Sequence, residues 1–394
     1  MTSTGTTVQV VTHRSNAATP QRGAPLFVGS HFCRARGFGR NHPLAIPRVA
    51  TVMELCEQLG WLDHDSFRRA PAASKARLAD FHDPRYIEAL EEADRTGRVE
   101  PEVRARHQFG NLENPLFPGV FERAATAVGG SILAAELALE GRAVFHPAGG
   151  THHGRRDRAS GFCFFNDPVF AITTLLRRGI DRVLYVDLDA HHCDGVQEAF
   201  DGDARVLMVS IHESGRWPHT GAIEDRGCGN AVNLPVPPGF NDSELRVLLD
   251  SLVVPIGAAF EPDVVVVTCG TDALDGDPLS RLALSNRVLW HAVESVIGLA
   301  RPAVVLGGGG YNPWTLARCW TGLWGRLAGR TIPDALPPQA RRLLAELDCD
   351  LVDDEDRRPE WLATLADAPN EGRVRDEIHA LVAWHLGGGM HGLA

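Results

Sequence analysis

Lysine is nearly absent from this chain of 394 residues: Lys75 alone stands among 39 basic side chains. Against 50 acidic residues this leaves a formal charge of −11, which disfavours nonspecific binding to nucleic acid or anionic membranes and suits cationic partners. Long apolar runs are missing too. None reaches the roughly eighteen residues of a membrane span, and the N-terminal MTSTGTTVQVVTHRS lacks the basic and apolar regions of a secretory signal. There is no CxxC pair. The eight cysteines (33, 56, 163, 193, 228, 269, 319, 349) are scattered, so they read as reduced thiols and not as a disulfide frame or a thiolate metal cluster. Internal repeats and long linkers are likewise absent, and the expected location is the cytoplasm.

The chain is 44% hydrophobic and 23% charged, an ordinary composition for a globular protein able to bury a core. From about residue 142, β-rich runs alternate with amphipathic stretches. The strand candidates are RAVFHPA (142–148), RVLYVDLDA (182–190), RVLMVSIHE (205–213), PDVVVVTCG (262–270) and RPAVVLGGG (301–309). Helical candidates DPVFAITTLLRRG, SELRVLLDSLVVPIGAAF, SNRVLWHAVESVIGLA and NPWTLARCWTGLWGRLAG lie between and after them, with earlier helices at 49–60 and 118–140 and a further strand at TVQVVTH. This rhythm predicts βαβ units and a mostly parallel sheet. The run VVVV (264–267), apolar on both faces, suits a central parallel strand. The Pro- and charge-rich segment 331–359 reads as a surface wrap leading to a last helix near 373–385.

Polar residues gather at or just beyond the C-terminal ends of these strands: His152 and His153, Asp189 and His191, Ser210 and His212, Asp272, and Tyr311. Ligands of open α/β sheets bind at that edge. In YVDLDAHHCDGVQEAF (185–200), strand periodicity puts Asp187, Asp189 and His191 on one side. With Asp272 from a neighbouring strand end, Asp189 and His191 make three N/O ligands with a fourth position open, the pattern of a catalytic zinc site. A lone DxH is more often a capped turn; the matching polarity of the other strand ends favours metal. The adjacent His152 and His153 in PAGGTHHG read as a proton-transfer pair for an activated water and a leaving amine, with Asp187 and Asp194 as orienting carboxylates. LGGGGYN (306–312) has no GK[ST] and is not a phosphate loop. Its glycines allow close backbone approach and aim Tyr311 inward, where a phenol can donate to a developing oxyanion.

In order, THHGRRDRASGFCFFND, YVDLDAHHCDGVQEAF, TCGTDALDGDPL and GGGGYN closely resemble the zinc-dependent histone deacetylase superfamily, the bacterial acetoin-utilisation type most of all. The resemblance runs from about residue 25, with HPLAIPR (42–48) fitting its N-terminal pattern, to about 325. It implies an arginase/deacetylase-like three-layer α/β/α fold, with residues 1–330 as the catalytic domain and 331–394 as an extension wrapping it. It further implies one zinc held by Asp189, His191 and Asp272. His153, backed by Asp194, would be general base and acid; His152, backed by Asp187, would stabilise the transition state; Tyr311 would polarise the acyl carbonyl. Gly161 and Phe162 would line a substrate tunnel opposite Trp217, Glu113 would grip the substrate backbone, and Arg48 would sit at the foot of the tunnel, where the family releases acetate. A potassium site would use Asp187, Asp189, His191 and Ser210, partly through carbonyls.

Departures from the family pattern are specific. Cys193 replaces a usual glycine and is expected to be a buried, inert thiol. Trp217 and His219 are bulkier than the usual Phe and Gly, so a narrow tunnel mouth is expected. Leu279 stands where polyamine-specific relatives carry Glu, which weighs against acetylpolyamines. The expected activity is removal of acetyl, or a similar short acyl, from N-ε-acetyl-lysine in a protein or peptide, or from a small acetylated amine; homo-oligomers are left open. Two rivals remain. A binuclear manganese ureohydrolase would share DAHxD but needs further carboxylates, and Asp275 and Asp277 form no DxD with Asp272. A non-catalytic acyl-lysine binding module would have eroded Tyr311, the histidine pair or a ligand, and none is eroded.

Overall fold

The computed structural model describes residues 23–30, 38–39 and 42–389. Its strands are β1 (Leu26–Gly29), β2 (Phe67–Arg69), β3 (Ala143–His146), β4 (Val183–Asp187), β5 (Val206–Glu213), β6 (Ala231–Val236), β7 (Val264–Thr268) and β8 (Ala303–Leu306). They form one sheet in the order β2-β1-β3-β8-β7-β4-β5-β6, and every pairing is parallel. The five strands with functional candidates at their ends (β3, β8, β7, β4 and β5) are consecutive neighbours, so those ends share one stretch of the sheet edge.

The central valines show why the sheet carries helices on both faces. Val265 and Val267 of β7, with Leu184 and Val186 of β4, belong to one apolar cluster; Val264 and Val266, with Val183 and Tyr185, belong to another. Side chains alternate along a strand, so a run apolar on both faces needs cover on both. Helices Arg48–Gln58, Asn286–Ile297 and Pro313–Leu327 cover the first face, and Val120–Ala138 with Asp167–Arg177 the second. This is the three-layer α/β/α sandwich. Several helices start on side-chain caps: Asn166 accepts from the Val169 amide, Ser285 from Val288, and Asn312 from Trp314 and Thr315, satisfying amides that lack helical partners.

The structure differs from the sequence expectations at several points. TVQVVTH lies outside the described residues. Strands β1, β2 and β6 were not expected: β1 and β2 are too short for alternation to show, and the AVNLPV of β6 contains Pro235. A proline lacks the ladder donor but is tolerated on an edge strand, and β6 is an edge. The stretch expected as one helix, 243–260, is two helices, Asp242–Leu248 and Val254–Phe260, joined by a π turn at Leu249–Val253. Pro255 follows that turn and cannot donate an amide to a regular ladder. The segment 331–359 contains a helix, Pro338–Ala345, and the last helix runs from Asp376 to Trp384. Trp361, Leu365, Ile378 and Leu381 from this C-terminal part are buried in the same cluster as Val265 and Val305. No described helix is long and apolar enough to cross a membrane.

Candidate active site

Strand β4 ends at Asp187, earlier than strand periodicity implied, and the following residues turn on their own side chains. Asp187 Oδ1 accepts the Asp189 amide at 3.0 Å, and Asp189 Oδ1 accepts the His191 amide at 2.9 Å. These successive Asx-type turns explain the DxDxH spacing: each carboxylate holds the backbone that presents the next polar residue. From the end of β7, Asp272 Oδ1 accepts the Ala190 amide at 3.0 Å. One side-chain atom each from Asp189, His191 and Asp272 lies within 4.8 Å of the others, and all three residues are buried. His191 Nδ1 sits 3.1 Å from Asp189 Oδ1 and 2.9 Å from Asp272 Oδ2. Among the described residues this is the one cluster suited to a metal ion.

The glycine run after β8 makes that convergence possible. A Cβ on Gly309 would stand 2.1 Å from Asp272 Oδ2, and one on Gly310 would stand 1.9 Å from Thr271 Oγ1, where φ is also +137°. The Gly309 amide donates to Asp189 Oδ2. Tyr311, which follows, is buried, with its amide donating to Asp277 Oδ2 at 2.7 Å and its ring 5.9 Å from that of Phe162. Burial pushes its phenol well above 10, with Asp272 and Asp189 adding to the effect, so the hydroxyl keeps its proton.

After β3, the loop brings in both histidines. His152 Nδ1 is 2.7 Å from Asp187 Oδ2, and His153 Nδ1 is 2.7 Å from Asp194 Oδ1. The two rings titrate in opposite directions. Burial opposes charge on His152, but Asp187, Asp189 and Asp194 outweigh it and hold the pKa up at about 9. For His153, burial and the charge on His152 prevail over Asp194 and push the pKa down to about 4. The surroundings thus push the two pKa values apart, the separation that distinguishes an electrostatic stabiliser from a base.

Gly161 and Phe162, both with positive φ (54° and 66°), wall a cavity of about 530 Å³. The Gly161 amide donates to Glu113 Oε1 at 3.0 Å, so Glu113 stands at the mouth. Trp217 lies over the site, its ring 4.6 Å from that of His153, and a Cβ on Gly161 would reach within 2.4 Å of it. Leu279, His219, His191 and Tyr311 complete the lining relevant here. Arg48 lies deeper, in a second cavity of about 90 Å³ that shares Phe162; its guanidinium donates to the Gly308 carbonyl and faces the Trp320 ring at 5.1 Å. Ser210 is paired in register with Asp187 and bonds His212 at 2.9 Å. Cys193 is buried with φ −76°, so it needs no glycine, and burial pushes its thiol well above 9.

Some supporting residues escaped the sequence reading. The Tyr185 hydroxyl contacts Asp187 Oδ2 and lies 2.9 Å from Thr268 Oγ1; the two-residue spacing of Tyr185 and Asp187 was the available signal. Arg155 closes on Asp194, and Asp277 receives the Tyr311 amide. Except for Tyr185 and Asp187, which share β4, these contacts join segments distant in the chain.

Residues 42–327 match the model of the histone deacetylase domain. The chain belongs to the histone deacetylase family. Its members are hydrolases of the deacetylase type, and zinc is typical of them. The chain is 33% identical to histone deacetylase 8 of Xenopus tropicalis over 301 residues, covering 74% of this chain and 81% of that one. It is 32% identical to the acetoin utilization protein AcuC of Bacillus subtilis over 329 residues, covering 80% and 84%. The solved structure of a histone deacetylase homologue from Aquifex aeolicus superposes with a TM-score of 0.88 at 37% identity, covering 91% of this chain and 99% of that one. A homologue solved in complex with SAHA gives 0.87 at 38%, covering 92% and 99%. The arginase-like fold and the family follow from these likenesses.

Proposed function

We propose that this histone deacetylase family member is a zinc-dependent deacetylase of N-ε-acetyl-lysine, acting in the cytoplasm on a protein, peptide or free amino acid. The carrying observation is a cavity lined by His153, His191 and Tyr311, behind which lie the rest of a buried Asp2His donor set and of two His–Asp pairs. One nitrogen and two carboxylates at mutual distances below 4.8 Å suit a divalent ion of the zinc kind. When bound, zinc would polarise the acyl carbonyl and lower the pKa of a water. Asp189, His191 and Asp272 would hold it. His153, oriented by Asp194, takes a proton from the attacking water and returns it to the departing amine. His152, charged and fixed by Asp187, stabilises the negative charge that develops. The Tyr311 hydroxyl donates to the carbonyl oxygen as it becomes an oxyanion.

Gly161, Phe162 and Trp217 wall off the acyl-lysine stem, Glu113 accepts from the substrate backbone, and Arg48 marks where acetate leaves. A potassium ion near Asp187, Asp189, His191 and Ser210 would brace the loop after β4; the pairing of Asp187 with Ser210 supports this. We further propose that 331–394 extends the catalytic domain 1–330, because its buried side chains join the same core. Acetylpolyamines remain the alternative substrate class, disfavoured by Leu279. The ureohydrolase rival loses support because Asp275 pairs with Arg358 at 2.8 Å and Asp277 accepts the Leu279 and Tyr311 amides, so neither faces a second metal.

The test is acetate release by zinc-loaded protein from acetyl-lysine peptides, free acetyl-lysine, acetylputrescine and acetylspermidine, with urea release from agmatine as control. Chelator-sensitive release from the lysine compounds is expected. Silence on every acetyl amide would reject the deacetylase reading.

A further inference from the structure

At one side of the cavity mouth, two guanidiniums meet at a single carboxylate. Glu213, the last residue of β5, is buried, and its oxygens are already engaged. Arg216 donates to both of them, at 2.9 Å to Oε1 through Nη2, and the Arg281 amide donates to Oε2 at 2.9 Å. The Arg281 guanidinium approaches the same residue at 3.5 Å through Nε, while its side chain is 72% exposed. Two guanidiniums thus share one carboxylate, and the exposed Arg281 keeps most of its donors unspent beside Trp217 and Leu279.

Other acidic groups near this rim are committed elsewhere. Asp277 accepts the Leu279 amide at 2.9 Å and the Tyr311 amide at 2.7 Å, and Asp275 pairs with Arg358. Glu113 lines the same cavity but comes from a different segment, anchored on the Gly161 amide. The rim therefore presents an anionic acceptor from one segment and exposed cationic donors from another. An acetyl-lysine inside a peptide has a neutral amide on each side of its α-carbon. A free amino acid has an ammonium and a carboxylate there, and a C-terminal residue has the carboxylate.

We propose that Arg281, seated on Glu213 beside Arg216, binds the α-carboxylate of the substrate, so that the preferred substrate is N-ε-acetyl-lysine with a free α-carboxyl group. The inference rests on the deacetylase reading and names its substrate class. A guanidinium matches a carboxylate in charge and in paired donor geometry, which a neutral backbone carbonyl cannot equal.

The experiment compares kcat/KM of zinc-loaded protein for N-ε-acetyl-lysine and for its α-carboxamide, in wild type, Arg281→Ala, Arg281→Lys and Arg281→Glu. A solvent-accessible charge-assisted contact predicts about a fivefold preference of wild type for the free acid, shrinking as salt is raised. The ratio should fall to near one in Arg281→Ala, stay partly raised in Arg281→Lys, and drop below one in Arg281→Glu. A third compound, the α-carboxylate with a benzoyl-capped α-nitrogen, separates the two sources. Retained preference means that the carboxylate alone is read, as at a chain terminus; preference confined to the uncapped compound means a free amino acid. Equal rates on acid and carboxamide in wild type, or an undiminished preference in Arg281→Ala, would overturn the inference while leaving the deacetylase reading in place. Hydrolysis of neither compound would overturn both.

Discussion

His153 Nδ1 lies 2.7 Å from Asp194 Oδ1, and Arg155 closes on the other oxygen of the same carboxylate. Asp194 therefore fixes the ring and leaves the other nitrogen of His153 for the reaction. Asp194→Asn keeps the shape but loses the charge that orients the ring, so kcat should fall about 100-fold. His153→Ala should lose about 10³-fold. Steady-state kinetics on an acetyl-lysine peptide measures both, and an Asp194→Asn enzyme within threefold of wild type would remove Asp194 from the proton-transfer pair.

Tyr311 sits buried beside Phe162 with its phenol protonated across the working pH range. Tyr311→Phe removes one hydroxyl and little volume, so the expected result is a kcat loss of about 10²–10³-fold. Metal content and thermal stability should be nearly unchanged. Zinc analysis and a melting curve on the same preparation distinguish loss of the donor from loss of the site.

A side chain on Gly309 cannot be accommodated without moving Asp272, because its Cβ would lie 2.1 Å from Oδ2. Gly309→Ala should thus bind zinc at least tenfold more weakly, and the metal-free protein should melt somewhat below wild type because a buried carboxylate has to shift. Competition with a chromophoric chelator reads the affinity. Wild type should hold one zinc per chain, and chelator dialysis should abolish acetate release; two metals per chain would revive the ureohydrolase rival.

Glu244 links the C-terminal tail to the helix Asp242–Leu248: Arg375 donates to both of its oxygens at 2.6 Å, and the carboxylate is buried. Burial opposes its charge, yet the Arg375 side chain and amide, with the Asn241 amide, outweigh burial and hold its pKa below the ordinary 4.5. A lowered folded pKa contributes stability that is fully present above 4.5 and is lost as the pH falls through the lowered value. Arg375→Ala, which strands the buried charge, should cost about 3 kcal/mol at pH 7. The difference from wild type should shrink below pH 4.5. Chemical denaturation at both pH values tests this, and a pH-independent difference would contradict it.

Much of the site is legible in the order of residues, for local reasons. DxDxH, the histidine pair and the glycine run are short-range patterns whose turns are built by their own side chains, as the Asp187 and Asp189 caps show. The central strands are legible because four valines in a row must be covered on both faces. The edge strands β2 and β6 and the four-residue β1 are not, since β2 is short and charged, β6 carries a proline, and β1 is too short to show a period. Thr268 and Arg155 escape notice because each acts on a residue from a distant segment, and Tyr185 because it reads as one more apolar residue of its strand.

By itself, the sequence determined the α/β class, the polar strand ends and the identity of the ligand and histidine candidates, all of which follow from local spacing and the apolar–polar pattern. Only the tertiary structure decided that β3, β8, β7, β4 and β5 lie side by side, and hence that Asp272 meets Asp189 and His191. It alone pushes the pKa values of His152 and His153 in opposite directions and leaves the Arg281 guanidinium exposed at the mouth. These properties depend on distances between segments far apart in the chain, and electrostatic energies follow distance and burial, neither of which is written in the order of residues.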